Sequence, residues 1–105
     1  MKKARTRITT DADRLAELCK ALAHPARVAI MKFLIERDAC VCGEIVEVMS
    51  LAQSTVSEHL RVLKEAGLVR GTIDGPRVCY CIDREAVATL EQQLGALFGP
   101  KASKG

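Results

Sequence analysis

The sequence predicts a mostly helical domain carrying one small β hairpin. Three observations predict it. Apolar residues recur at helical spacing over most of the chain, with Leu15, Leu18, Cys19 and Leu22 the first such stripe. The period then changes to two between Leu68 and Ile82. Within that stretch Asp74-Gly75-Pro76 has the composition of a tight turn.

The elements follow in order. Residues 11–23 form an amphipathic helix that Thr10 or Asp11 can cap. His24-Pro25 breaks it, and Pro25 suits the first position of a second helix running to about Arg37. Val28, Ile30, Met31, Phe33, Leu34 and Ile35 make this helix apolar over a wide arc, so it is central. Ala39 to Cys42 is short, apolar and extended. Gly43 to Met49 makes about two helical turns, and Ser50-Leu51-Ala52 connects them to a helix over 53–66. There Val56, His59, Leu60 and Leu63 form the inner stripe, while Ser54, Ser57, Glu58, Arg61 and Glu65 form the wet face. Gly67 ends the helix. Residues 68–74 and 77–82 are strands. Asp83 caps a last helix whose stripe is Val87, Leu90, Leu94, Leu97 and Phe98, and Gly99-Pro100 stops it.

With 105 residues the chain fits one domain, residues 11–98, flanked by a basic flexible arm (1–10) and a flexible tail (99–105). A chain this short buries a modest core, which dimerisation would enlarge. Charged residues make up 28% and hydrophobic residues 49%, a globular rather than disordered balance. No apolar run approaches the roughly 20 residues of a membrane span. The basic N-terminus has no apolar segment after it, so it is not a secretion signal, and the chain reads as cytoplasmic. In that compartment the five cysteines are free thiolate donors rather than a disulfide framework. Nothing suggests an enzyme. Only His24 and His59 offer imidazole bases, and there is no Gly-rich phosphate loop.

A short helix, a tight turn, a longer helix and a hairpin make a winged helix-turn-helix. The second helix of such a unit enters the major groove of double-stranded DNA. Gln53, Ser54, Thr55, Ser57 and Glu58 supply polar groups over its first turns, with His59 and Arg61 further along. His59 sits at the edge of the apolar stripe, where a structural role competes with base contact. Arg77, beside the hairpin tip, can reach a phosphate or the minor groove.

"KALAHPARVAIMKFL", "CVCGEI", "STVSEHLRVLKEAGLV" and "GPRVCYCIDREAV" together resemble the ArsR/SmtB family of bacterial metal-responsive repressors, over roughly residues 11–98. The resemblance implies a homodimer formed by the first and last helices, through Leu15, Leu18, Leu22, Leu90, Leu94 and Leu97. It also places Gln53, Ser54, Ser57 and Arg61 at an operator. One departure is Ala52, where the family often has a capping Ser; Ser50 with Gln53 could replace it as a capping box.

Residues i and i+2 of an extended segment share a side. Cys40 and Cys42 therefore face one way and Val41 the other; Cys79 and Cys81 likewise oppose Val78, Tyr80 and Ile82. In a winged helix the segment before the helix-turn-helix often pairs with the last wing strand. If Val41 and Tyr80 both face the core, the four thiols converge. Soft thiolates select thiophilic ions over Mg²⁺ or Ca²⁺, and no organic cofactor is expected. "CVC" at this position resembles the arsenite-sensing motif of ArsR proteins, which implies As(III) or Sb(III) as inducer. Cys40, Cys42 and one of Cys79 or Cys81 would be the three ligands. Four sulfurs could instead hold Zn²⁺, Cd²⁺ or Pb²⁺. Family zinc sensors using the last helix need His there, and residues 83–98 contain none. Cadmium-type relatives use a Cys-bearing N-terminal arm, and residues 1–10 contain no Cys. Cys19 reads as core, with a third-ligand role as its rival. A thiol redox sensor of the same fold and a structural zinc protein are the other readings.

Overall fold

A computed structural model describes residues 10–99. The elements run α1 (Thr10–Leu22), α2 (Pro25–Arg37), α3 (Glu44–Met49), α4 (Gln53–Ala66), β1 (Val69–Asp74), β2 (Arg77–Ile82) and α5 (Arg84–Phe98). The basic arm and most of the tail lie outside the described residues.

Local chemistry sets these boundaries. His24 caps α2, its Nδ1 accepting from the Ala26 N–H at 3.0 Å, and Pro25 follows at the first helical position. Asp83 caps α5 by accepting from the Ala86 N–H at 3.1 Å. Gly67, at φ +91°, closes α4, its N–H reaching the carbonyls of Leu63 and Lys64. Gly75, at φ +65°, supplies the left-handed residue of the hairpin turn.

α4 starts at Gln53 as expected, but its cap differs from expectation. Ala52 is its N-cap and gives no side-chain hydrogen bond. Ser50 adopts a left-handed conformation (φ 55°) at the end of α3. It closes the preceding helix instead of joining Gln53 in a capping box.

α4 packs on α1, α2, α3 and β1, and α1 also packs on α5. Leu18, Ile30, Leu34, Ile45, Val56, Leu63, Leu68 and Val69 fill the centre with little or no exposed surface. β1 and β2 pair antiparallel in a register running from Val69↔Ile82 to Asp74↔Arg77. Val41 adds a bridge on the other edge of β2, opposite Tyr80. The wing thus attaches to the segment that leads into α3.

Candidate functional site: a wing-to-head sulfur cluster beside the recognition helix

The site grows from one backbone pair. The Val41 N–H donates to the Tyr80 carbonyl at 2.9 Å, and the Tyr80 N–H donates back at 2.8 Å. Val41 is buried in the core and Tyr80 packs against it. A pair that exchanges both bonds is flanked by pairs without hydrogen bonds, whose side chains approach more closely. Those flanking pairs are Cys40 opposite Cys81 and Cys42 opposite Cys79. Their Cα atoms are 4.2 and 4.0 Å apart, and both pairs are joined as disulfides.

All four predicted sulfurs therefore meet on the two rungs that flank the Val41–Tyr80 pair. Their state differs from the expectation of free thiolates. The close pairs bring the sulfurs within bonding distance, and the bonds are made. So joined, they offer no ligand set: among the described residues no group of three or more His, Cys, Asp or Glu side chains is placed to hold an ion. The sulfur side of β2 is also more covered than alternation implied. Cys79 and Cys81 are buried, whereas Val78, on the opposite side, is 44% exposed. Cys40 is exposed and Cys42 half-buried.

Cys19 does not belong to the core. It is an exposed free cysteine, because α1 turns Leu18 and Ala21 inward. Leu18 and Leu90 are buried within this single chain and so are core residues rather than an available dimer face. Leu15, Leu22 and Leu94 are half-buried against the core, and Leu97 is exposed.

A cleft of about 410 Å³ lies beside the cluster. Cys42, Ile45, Val46, Gln53, Ser57, Arg77 and Tyr80 are among its lining residues, so it separates α4 from the hairpin. Gln53, Ser54, Thr55 and Ser57 are exposed on the first turns of α4. Glu58 and Arg61 are exposed too, but they are engaged with each other. Arg61 donates through Nε to Glu58 at 3.1 Å and through Nη1 to Glu65 at 2.8 Å, with a further Nη2 contact to Glu58. The hydrogen bond from Arg61 holds the Glu58 carboxyl below its usual range, and the two carboxylates raise the Arg61 guanidinium further still.

His59 does not face outward. It is 8% exposed, on the α4 stripe with Val56, Leu60 and Leu63, and this removes it from the base-contacting set. Its ring lies 4.4 Å from that of His24. Arg27 donates from Nη1 to His59 Nδ1 at 3.2 Å and from Nε to the Ala21 carbonyl at 2.6 Å. Arginine can only donate, so Nδ1 accepts and the neutral ring carries its proton on Nε2. Burial pushes the His59 pKa down, the charges of His24 and Arg27 push the same way, and Glu58 opposes them. Arg27 thereby ties the end of α1 to the recognition helix. Sequence spacing gave no sign of this contact, since 32 residues separate its partners. The disulfide partners did carry a signal: two Cys-x-Cys motifs flank the residues that pair.

Helix, tight turn, longer helix and hairpin wing, with exposed polar residues opening the longer helix, define a winged helix-turn-helix DNA-binding protein. Residues 24–70 match the model of the family described as bacterial regulatory protein, ArsR family. Across 93 residues the chain is 30% identical to the HTH-type transcriptional regulator YgaV of Escherichia coli, covering 89% of this chain and 94% of that protein. The chain belongs to the ArsR family of transcriptional regulators. It is also 44% identical over 68 residues to the transcriptional repressor SmtB of Mycobacterium tuberculosis, covering 65% of this chain and 50% of SmtB. A crystal structure described as a possible transcriptional regulator for arsenical resistance superposes with TM-score 0.70 at 27% identity, covering 81% of this chain and 86% of that one.

Proposed function

We propose that this regulator represses transcription by binding operator DNA as a homodimer, and leaves the operator when As(III) or Sb(III) binds its cysteine thiolates. The observation that carries the reading is the convergence of Cys40, Cys42, Cys79 and Cys81 on the two rungs that flank the Val41–Tyr80 pair. Each rung holds two sulfurs, one from each strand. A pyramidal ion needing three thiolates must therefore draw on both rungs and both strands. Once the bridges are reduced, Cys40, Cys42 and either wing cysteine provide such a set, and four sulfurs would suit Zn²⁺, Cd²⁺ or Pb²⁺. The fit to thiophilic ions rests on this donor chemistry. The similarity to a protein described in terms of arsenical resistance points the same way.

Mechanically, any three-sulfur ion ties the segment entering α3 to the hairpin that flanks α4. Gln53, Ser54, Thr55 and Ser57 on α4, with Arg77 on the hairpin, are the DNA-facing groups of this proposal. A coupling of about 1–3 kcal/mol between ion and operator is the usual size of such an effect. Half-sites lie about 34–36 Å apart, so a small rotation of each head within the dimer misplaces both recognition helices. Exposed apolar residues on α2 and α5, including Val28, Ile35, Leu97 and Phe98, are available for the dimer contact.

A second reading, thiol redox sensing, is favoured by one specific observation: the four sulfurs are paired as disulfides. Oxidation would then make the same tie that the ion makes. Titration of the reduced protein with arsenite, followed by thiolate absorption, separates the two. Saturable binding that weakens in Cys40→Ser and Cys42→Ser supports the ion. No binding to the reduced protein, together with operator release by peroxide, leaves the redox reading.

A further inference from the structure

Two imidazoles and one guanidinium hold α4 from behind. His59 lies on the buried stripe of that helix. Its ring is 4.4 Å from that of His24, at an interplanar angle of 50°. Each ring uses Nδ1 as an acceptor: His24 accepts from the Ala26 N–H at 3.0 Å, and His59 accepts from Arg27 Nη1 at 3.2 Å. Arg27 is fixed in turn, because its Nε donates to the Ala21 carbonyl at 2.6 Å. One chain of contacts thus runs from the end of α1, through the start of α2, to the middle of α4. A proton arriving at His59 must land on Nδ1, since Nε2 already carries one. There it meets the Arg27 guanidinium, which only donates and is always charged. Two donors and two positive charges then face each other. The charged groups that act on His59 are His24 and Arg27, from the start of α2, and Glu58 on α4 itself. Glu58 opposes the other two, but it is exposed and engaged by Arg61. On the α1 side, Glu17 and Lys20 line a recess with Arg27, and Glu17 pairs with Arg14. Among the described residues α3 and β1 bring no charge that acts on His59.

We propose that His24, Arg27 and His59 form a proton-sensitive clamp behind the recognition helix, and that acid opens it and weakens operator binding. The effector here is the proton, and no cysteine takes part. The proposal rests on the reading that α4 contacts operator DNA. When His59 is charged, its Nδ1 and Arg27 separate, and α4 loses this tie to α1 and α2. Gln53, Ser54 and Ser57, exposed on the first turns of the same helix, then lose their fixed register against base edges. His59 and Arg27 act through the helix and are positioning residues.

The test uses full-length protein, reduced and with no ion added. The probe is a duplex that this protein selects from a random library at pH 7.5, with a scrambled duplex of equal length as reference. The ratio of the two affinities should fall on the order of threefold between pH 7.5 and 5.5, since a single proton limits the change to about tenfold per pH unit. His59→Gln, which still accepts from Arg27 but does not titrate, should hold the ratio constant. An equal fall in the wild type and His59→Gln would overturn the proposal. A second measurement needs no variant. The chain has two histidines, so their ring Cε1–H signals follow each titration by NMR. By reciprocity, operator binding must lower the His59 midpoint, whereas the bare negative charge of DNA would raise it. A raised or unmoved midpoint would overturn the clamp. Arg27→Gln keeps a donor but removes the charge, and should raise the midpoint in the free protein. Failure to select any duplex at pH 7.5 would contradict the DNA reading itself, and a bound duplex with a flat pH profile would contradict the clamp alone.

Discussion

Val41 and Tyr80 exchange both of their backbone hydrogen bonds, and this one pair fixes which sulfur meets which. A slip of one residue would turn the cysteine side of the 39–42 segment away from the hairpin. The side chain of Val41, 2% exposed, anchors the register in the core. Val41→Ala should therefore destabilise the reduced protein by about 2 kcal/mol. Urea unfolding under reducing conditions checks this: the midpoint should fall with the slope unchanged.

The bridges are nested, spanning 41 and 37 residues. Chain-entropy arguments give roughly 4 kcal/mol for closing one loop of this size. Once one bridge is closed, the second closes only one short ring, made of residues 40–42 and 79–81, so its further contribution is smaller. Under oxidising conditions Cys40→Ser and Cys42→Ser should each lose much less stability than Cys40→Ser/Cys42→Ser. Thermal or urea unfolding of the three variants decides it. Equal losses in the singles and the double would show that nesting does not govern the effect.

Arg61 is held on α4 by Glu58 and Glu65. To touch a phosphate it must leave them, and both carboxylates oppose the approach of DNA. Glu58→Gln/Glu65→Gln should therefore tighten operator binding and steepen its salt dependence, each additional phosphate contact adding about 0.9 to the slope of log affinity against log salt. Fluorescence anisotropy across a salt series measures both quantities. An unchanged slope would mean that Arg61 makes no phosphate contact.

His59 is buried neutral, with its pKa below the usual value of 6.5. The folded state thus binds fewer protons than the unfolded state as pH falls below that value. Its contribution is intact above about pH 6.5 and is lost as pH falls from there toward the lowered folded value. Unfolding free energies at about pH 7.5 and 5.5 should differ more for the wild type than for His59→Gln, which can still accept from Arg27 but does not titrate. Equal pH dependence in the two proteins would show that folding does not lower the His59 pKa.

Much of this architecture was legible in the chain. The bounds of α2 and α4, the hairpin and its turn, and the cap at Asp83 followed from Pro25, Gly67, Gly75 and the change of period. The Val41–Tyr80 bridge followed from alternation combined with the expected fold. What escaped were features that depend on distance through space. The stripe of α4 already placed His59 inward, but its contacts with Arg27 and His24, which lie far along the chain, were not legible there. The exposure of Cys19 depends on a rotation of α1 that puts Leu18 and Ala21 inside instead. The disulfide state depends on a Cα separation near 4 Å, and alternation alone gives facing but no distance.

The central claim is that the four sulfurs form one effector site coupled to DNA. Its most direct test is the operator affinity of fully reduced protein at one fixed salt concentration, measured with and without arsenite, for the wild type and Cys40→Ser. A coupling of 1–3 kcal/mol predicts that arsenite weakens wild-type binding by about fivefold to 150-fold, with Cys40→Ser losing most of that response. Wild-type affinity that stays the same at saturating arsenite would contradict it.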